Sequence, residues 1–175
     1  MLIFDIGFYD GADTDYYLRR GHEVVAFEAN PTLFEAGQRQ YEEAIASKQL
    51  TLLNLGVGKA DGEQVDFFIH TDNIEWSTFH KEAARNWGEH KYKVIKVKCI
   101  TPSDLFTQFG YPDYLKSDIE GYDIYIAEHL RHLDKKPEWV SFEASDRTLV
   151  RNLMLAAYSA FKLIDQTKIT VQEVL

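Results

Sequence analysis

The chain alternates short β-rich runs with helix-like stretches, and this alternation constrains its fold more than any other feature. Leu2–Ile6 is apolar and stops at Gly7, and Val24–Phe27 and Leu50–Leu55 repeat the pattern further on. Such brief apolar runs, bounded by turn residues, read as strands buried on both faces. Ala12–Arg20 reads as a helix, with Asp13, Thr14 or Asp15 as candidate caps and Gly21 at its end. Asn30-Pro31 opens a second helix that runs to about Ser47, because proline suits the first helical position. Pro102–Phe109, Tyr122–Leu133 and Arg147–Tyr158 read as further helices. Gln64–Ile69, Val94–Ile100, Tyr114–Ser117, Trp139–Phe142, Phe161–Ile164 and Ile169–Val174 read as strands. Between Thr71 and Lys93 the chain mixes aromatics, histidines and charges without a clean period, which predicts a mostly irregular insertion at about 70–93. The alternation predicts an α/β fold over residues 1–175 as a single domain. Its sheet is expected to be mainly parallel, with an antiparallel strand near the C-terminus and helices on both faces. A ligand of such a sheet sits beyond the carboxyl ends of the strands, near the point where strand order reverses.

The strand ends carry acids. Asp5 closes the first strand, Glu28 the second, Asp118 the fourth principal strand and Glu143 the fifth. Placed at equivalent ends of a parallel sheet, four carboxylates would line one crevice. The alternative is that each caps the helix that follows, where the positive end of the helix dipole favours a carboxylate.

The first strand–helix loop, Asp5-Ile6-Gly7-Phe8-Tyr9-Asp10-Gly11, narrows the ligand. A dinucleotide fingerprint needs glycine where this loop has Tyr9 and Ala12, since the second glycine lets the backbone approach a pyrophosphate. Asp5 and Asp10 would also repel a diphosphate, so an NAD-dependent oxidoreductase is the weaker reading. No P-loop motif is present. An adenosyl ligand without phosphates fits better. Gly7 and Gly11 still supply a tight turn, and Glu28 follows Gly7 at roughly the 20-residue spacing of a ribose-binding acid. A sulfonium and an α-ammonium would both be stabilised by nearby carboxylates. S-adenosylmethionine meets these conditions.

Composition excludes other classes. Lys plus Arg number 19 against 28 Asp plus Glu, a formal net charge of −9, so the bulk field opposes a nucleic-acid backbone. Cys99 is the lone cysteine, which leaves no internal disulfide and no cysteine-based zinc cluster. No apolar run reaches the roughly 20 residues of a membrane span, and the start of the chain lacks a signal-peptide pattern. The expected location is cytoplasmic, with no nucleic-acid partner and no membrane span.

At the quoted loops the sequence resembles a known family. Asp5 through Gly11, Asp13-Thr14, Tyr17-Leu18 and Val25-Ala26-Phe27-Glu28-Ala29-Asn30-Pro31 are similar to the opening motifs of FkbM-type methyltransferases. Asn54 through Gly58 with Asp61-Gly62 resembles that family's third-strand segment, and Leu115-Lys116-Ser117-Asp118-Ile119-Glu120-Gly121 resembles its Lys-x-Asp-x-Glu-Gly block. Pro137 through Glu143 resembles the strand that follows. The resemblance implies a Rossmann-like class I methyltransferase that uses S-adenosylmethionine, generally for O-methylation. By position, it implies Gly7 and Gly11 beside the methionine part of the cofactor, Asp5 beneath that loop and Glu28 on the ribose. It implies Asn30 and the Gly56–Gly58 segment near the adenosine, and Asp118 facing the methionine ammonium or the methyl group. The chain departs from the family in the bulkier Phe8-Tyr9 pair and in a first strand that begins at residue 2.

Methyl transfer to a hydroxyl needs in-line alignment and a base for the acceptor's proton. Asp118 is the first candidate for that base, with Glu120, Glu143 and His80 behind it. Lys116 is expected to hold Asp118 ionised or to orient the acceptor. Asp118, Glu120 and Glu143 could instead hold a hard cation, but no His/carboxylate spacing marks a metal site, and none is assigned. Trp76, Phe79 and Trp87 form either an apolar lid or, as favoured, a satellite core, while Tyr16, Tyr17 and Leu18 are expected to pack the helix. His22, His129 and His132 are expected in solvent. The expected partner is a small-molecule or carbohydrate acceptor. A homo-oligomer that completes the pocket from a second subunit is compatible with so short a chain. A non-catalytic module that binds the same adenosyl ligand is the alternative function.

Overall fold

The computed structural model describes residues 1–58, 64–88, 90–143 and 147–164. Five parallel strands form the main sheet: β1 (Leu2–Ile6), β2 (Glu23–Phe27), β3 (Leu50–Leu53), β7 (Tyr114–Ser117) and β8 (Trp139–Phe142). Their order is β3-β2-β1-β7-β8. The chain moves outward from β1 to β3 and then returns to the other side of β1, so the order reverses between β1 and β7. A second sheet holds β4 (Gly56–Val57), β5 (Gln64–His70) and β6 (Tyr92–Ile100) in the order β4-β6-β5. β6 runs parallel to β4 and antiparallel to β5.

The strand runs are apolar at successive positions because both faces of the main sheet are covered. On one face, Ile3, Val24, Ala26, Leu50 and Leu52 pack with Tyr17 of α1 (Ala12–Arg19). Phe34 of α2 (Pro31–Gln40) and Ile45 of α3 (Glu42–Ala46) complete that layer. On the other face, Phe4, Ile6, Val25, Phe27 and Leu115 pack against α5 (Pro102–Phe109), α6 (Asp123–Leu130) and α7 (Arg147–Leu155). The mainly parallel, two-faced α/β architecture expected from the alternation is the one found.

Several boundaries differ, each for a local reason. The helix expected from Asn30 to Ser47 breaks at Tyr41, whose hydroxyl turns inward to donate to the Gly11 carbonyl at 3.0 Å. α1 is capped by Gly11 in the left-handed region at φ 80° rather than by Asp13, Thr14 or Asp15. The 71–93 stretch holds a short 3-10 turn (Ile74–Trp76) and α4 (Lys81–Trp87) before β6. Antiparallel pairing occurs between β5 and β6. Phe161–Ile164, expected to be a strand, carries no regular structure, and Ile169–Val174 and Asp61-Gly62 lie outside the described residues. His129 is not solvated: its ring is stacked on Phe106, and burial lowers its pKa. No helix among the described residues is long and apolar enough to cross a membrane.

Leu115 is fully buried in β7, an interior strand of the main sheet. Leu115→Ala should therefore lower the unfolding free energy by about 2–5 kcal/mol in urea titrations, whereas Met154→Ala on the exposed side of α7 should stay within about 0.5 kcal/mol.

Candidate functional site

The carboxyl ends of β1 and β7 part at the reversal point, and the crevice there is held open by one close backbone approach. Gly7 has φ +90°, and a Cβ on it would lie 2.1 Å from the Asp118 carbonyl oxygen. Only glycine lets the two strand ends run this close. The Gly7 and Phe8 amides both donate to the Phe27 carbonyl, at 3.1 and 3.0 Å, while the Asp118 amide donates to Ile6 at 2.9 Å. Three strand ends are thus knotted together at the mouth of the crevice. The second glycine has another task. A Cβ on Gly11 would meet the Phe8 and Tyr41 rings at 2.6 and 2.8 Å, so Gly11 makes room for core aromatics and does not line the crevice.

Between these ends opens a cavity of about 1750 Å³. Gly7, Glu28, Asn30 and Gly56 line one part of it, Asp118, Glu120 and Glu143 another, and Glu75, Trp76 and Phe79 a third wall. The acids do not share one role. Asp5 lies inside β1 rather than at its end and is fully buried. Its Oδ2 accepts from the Thr14 hydroxyl at 2.6 Å and its Oδ1 lies 3.2 Å from Lys116 Nζ. Burial raises its pKa, against the pull of Lys116 and Thr14. Asp5 therefore supports the loop from beneath and does not reach the cavity.

Glu28 follows β2 with its carboxylate pointing back into the crevice. Its Oε2 accepts the Tyr9 amide at 2.8 Å and its Oε1 the Asn30 amide at 2.7 Å. Each oxygen keeps one further acceptor position. Burial pushes the carboxyl up to about 7, against the two amide donors that favour its charge. With the folded pKa above the ordinary 4.5, the neutral form favours the fold. That contribution is whole below about pH 4.5 and is lost as pH climbs through about 7. Tyr9 sits at φ 52°, an uncommon region for a bulky residue, and its amide is the one Glu28 holds.

Asn30 caps α2, accepting the Thr32 amide at 3.0 Å through Oδ1. Its side chain is 2% exposed and its Nδ2 has no hydrogen-bond partner. A buried amide donor without a partner costs about 1–3 kcal/mol, so an acceptor arriving in the cavity would recover that cost. Gly56 has Phe79 against it, where a Cβ would lie 2.4 Å from the ring.

The third group gathers where β7 and β8 end. Asp118 is exposed to the cavity just after β7. Glu120 stands at φ 50°, and its carbonyl accepts from the Thr78 hydroxyl at 3.1 Å. Burial, then the charges of Glu143, Asp118, Asp123 and Glu75, push the Glu120 carboxyl up to about 7. Glu143 is raised in the same sense, by burial and then by Asp118 and Asp123. Among the described residues no three His, Cys, Asp or Glu side chains gather as a metal site.

Two further residues shape the site: Thr14, expected only as a helix cap and as part of the Asp13-Thr14 motif, and Asp123, which was not singled out in the sequence. Thr14 binds Asp5, and the buried Asp123 accepts from the Ser117 hydroxyl and the Ile119 amide, anchoring the turn that carries Asp118 and Glu120. Asp123 opens a helix directly after Gly121-Tyr122, a capping signal that could have marked it. His80 packs its ring on Tyr122 and does not line the cavity. Of the three aromatics in the insertion, Phe79 joins a core with Phe67, Val97 and Cys99. Trp87 packs on His70, and Trp76 stands half exposed at the cavity wall.

Residues 5–148 match the Methyltransferase FkbM domain family. A crystal structure of methyltransferase FkbM from Methylobacillus flagellatus KT superposes with a TM-score of 0.52 at 16% sequence identity. The match covers 89% of this chain and 36% of that one, so this chain spans little over a third of that protein's length. At that identity the likeness speaks for the fold alone. Among curated proteins none matches at a significant level.

The Gly7 approach sets a test. Gly7→Ala adds both backbone strain, about 1–3 kcal/mol, and a clash with the Asp118 carbonyl. Gly21→Ala, also at positive φ but with nothing within 4 Å of its Cβ, adds strain only. Thermal unfolding should place Gly7→Ala well below Gly21→Ala; equal midpoints would mean that the strand ends are not held this close.

Proposed function

The chain belongs to the FkbM methyltransferase family, and from that premise we propose that it moves the methyl group of S-adenosylmethionine to an acceptor hydroxyl of a small molecule or carbohydrate. The observation that carries this reading is the pairing of Glu28 with Asn30. One is a carboxylate with acceptor positions left over, and the other carries a buried amide nitrogen with none of its protons used; both residues line the cavity beside the glycine loop. Ribose hydroxyls donate to carboxylates, and an adenosine offers ring and ribose acceptors to an amide. The residues present therefore fit the adenosyl half of the cofactor, with Gly56 beside it. When bound, S-adenosylmethionine supplies a methyl group already activated by its sulfonium.

The chain's own part is alignment and proton removal. Asp118, exposed to the cavity, and Glu143 beyond β8 face the region between the loop and the third wall. We assign Asp118 as the group that takes the acceptor's proton. Glu143 then adds negative charge next to a cationic cofactor, where it is favourable. The cavity is larger than the ~300–1,000 Å³ of a usual single-ligand pocket, which supports room for cofactor and acceptor together. A dinucleotide is disfavoured on the same grounds as in the sequence. Tyr9 stands where a pyrophosphate would need a bare backbone, and its amide is already taken by Glu28.

Calorimetry with S-adenosylhomocysteine tests the reading. Hydroxyl donors prefer the ionised Glu28, so binding must first remove its proton below pH 7. Affinity should be roughly tenfold weaker at pH 6 than at pH 8, and Glu28→Gln should bind more weakly with little pH dependence. Absence of binding by the wild-type chain at any pH would overturn the proposal.

A further inference from the structure

Lys116 projects from β7 towards the helix α1 side of the sheet, and its ammonium lies among three acceptors. Nζ donates to the Gly7 carbonyl at 2.7 Å, and it lies 3.2 Å from Asp5 Oδ1 and 3.5 Å from Asp13 Oδ2. One of the ammonium's three protons goes to the Gly7 carbonyl, and the two carboxylates face its charge as ion pairs. Asp5 and Lys116 are also direct partners in the β1–β7 register. Resting on the function proposed above, we propose that Lys116 is a positioning residue: by holding the Gly7 carbonyl it keeps the glycine loop in its ligand-binding shape, and it gives no proton to the reaction.

The loop's other bonds show why that grip matters. The Gly7 and Phe8 amides are fixed from β2 through the Phe27 carbonyl, and the Tyr9 amide through Glu28. Those are all donor contacts on one side of the loop. Lys116 fixes the Gly7 carbonyl from the β7 side. With both sides of the peptide held, the turn through φ +90° at Gly7 and +52° at Tyr9 is set before a ligand arrives, and ordering it costs nothing on binding. The charge of Lys116 is secure in this setting. Burial alone would lower its pKa, but Asp5, Asp13 and Asp118 outweigh burial and raise it.

The difficulty in testing this is that Asp5 is buried and needs a partner. Removing Lys116 alone leaves a buried carboxylate uncompensated, which destabilises whatever the loop does, whereas removing both charges together is often close to neutral. The informative protein is therefore the double variant Asp5→Asn with Lys116→Met, beside Lys116→Met alone. Three readouts are needed: the thermal midpoint, amide exchange at Gly7, Phe8 and Tyr9 without ligand, and S-adenosylhomocysteine affinity. Lys116→Met should lose thermal midpoint and bind more weakly. The double variant should regain most of the midpoint, yet exchange these amides several-fold faster than wild type and bind at least tenfold more weakly. A double variant with wild-type exchange, or with faster exchange but wild-type affinity, would overturn the proposal. Should the wild-type chain bind no S-adenosylhomocysteine, the function above fails on its own. The ligand-free exchange then still decides whether Lys116 holds the loop.

Discussion

At the reversal point between β1 and β7, two neighbouring parallel strands send their chains off in different directions, and the gap left between them must be closed without filling it. The Gly7–Asp118 approach does this with backbone alone: the Asp118 carbonyl occupies the space of the missing Cβ. Everything that faces the cavity is placed relative to that contact. The Tyr9 turn and the Glu28 carboxylate that holds it lie on one side. On the other, Asp118 follows directly, and Glu120 is set by the Asp123 anchor and the Thr78 hydroxyl. A side chain at residue 7 would move both halves of the site at once.

Charge is distributed around this junction by depth rather than by sequence position. Asp5 and Asp123 are buried and spend their oxygens on Thr14, Ser117, Lys116 and a backbone amide. Glu28 is buried but divides itself between the loop and the cavity. Asp118, Glu120 and Glu143 face the open space; burial, then the charges of Glu143 and Asp118, raises the proton affinity of Glu120, and burial, then Asp118, raises that of Glu143. One ammonium, Lys116, neutralises the deepest part.

How far the sequence alone reveals this depends on the range of each interaction. Leu2–Ile6, Pro102–Phe109, Tyr114–Ser117 and Trp139–Phe142 are found at the residues expected. Their signals are local: an apolar run bounded by glycine or proline, or proline at a helix start. Asn30 as the cap of α2 is legible for the same reason. The break at Tyr41 is not, because its cause is a hydroxyl reaching the Gly11 carbonyl across the fold. Nor is the two-residue β4, which is a strand only because β6 runs beside it. Among the acids, sequence marks which residues follow strands. It does not say that Asp5 turns towards α1 while Asp118 turns to the cavity, since that depends on which strand lies next to β1. Lys116 shows the same gap: its role is set by its register with Asp5, between strands far apart in the chain.

The second sheet explains how the stretch at 70–93 comes to face the site. β5 and β6 form a long antiparallel pair, and the isolated bridge between Phe68 and Thr78 folds the following turn back along β5. That return brings Glu75 and Trp76 to the cavity wall and puts the Thr78 hydroxyl on the Glu120 carbonyl. The insertion is thus fastened to the turn after β7 as well as to its own hairpin. A change in the length of the 71–77 turn would shift Trp76 and Glu75 while leaving Glu28, Asn30 and the glycine loop in place. This wall can therefore vary independently of Glu28, Asn30 and the glycine loop, because it hangs from the β5–β6 pair and meets the turn after β7 at Thr78 and Glu120.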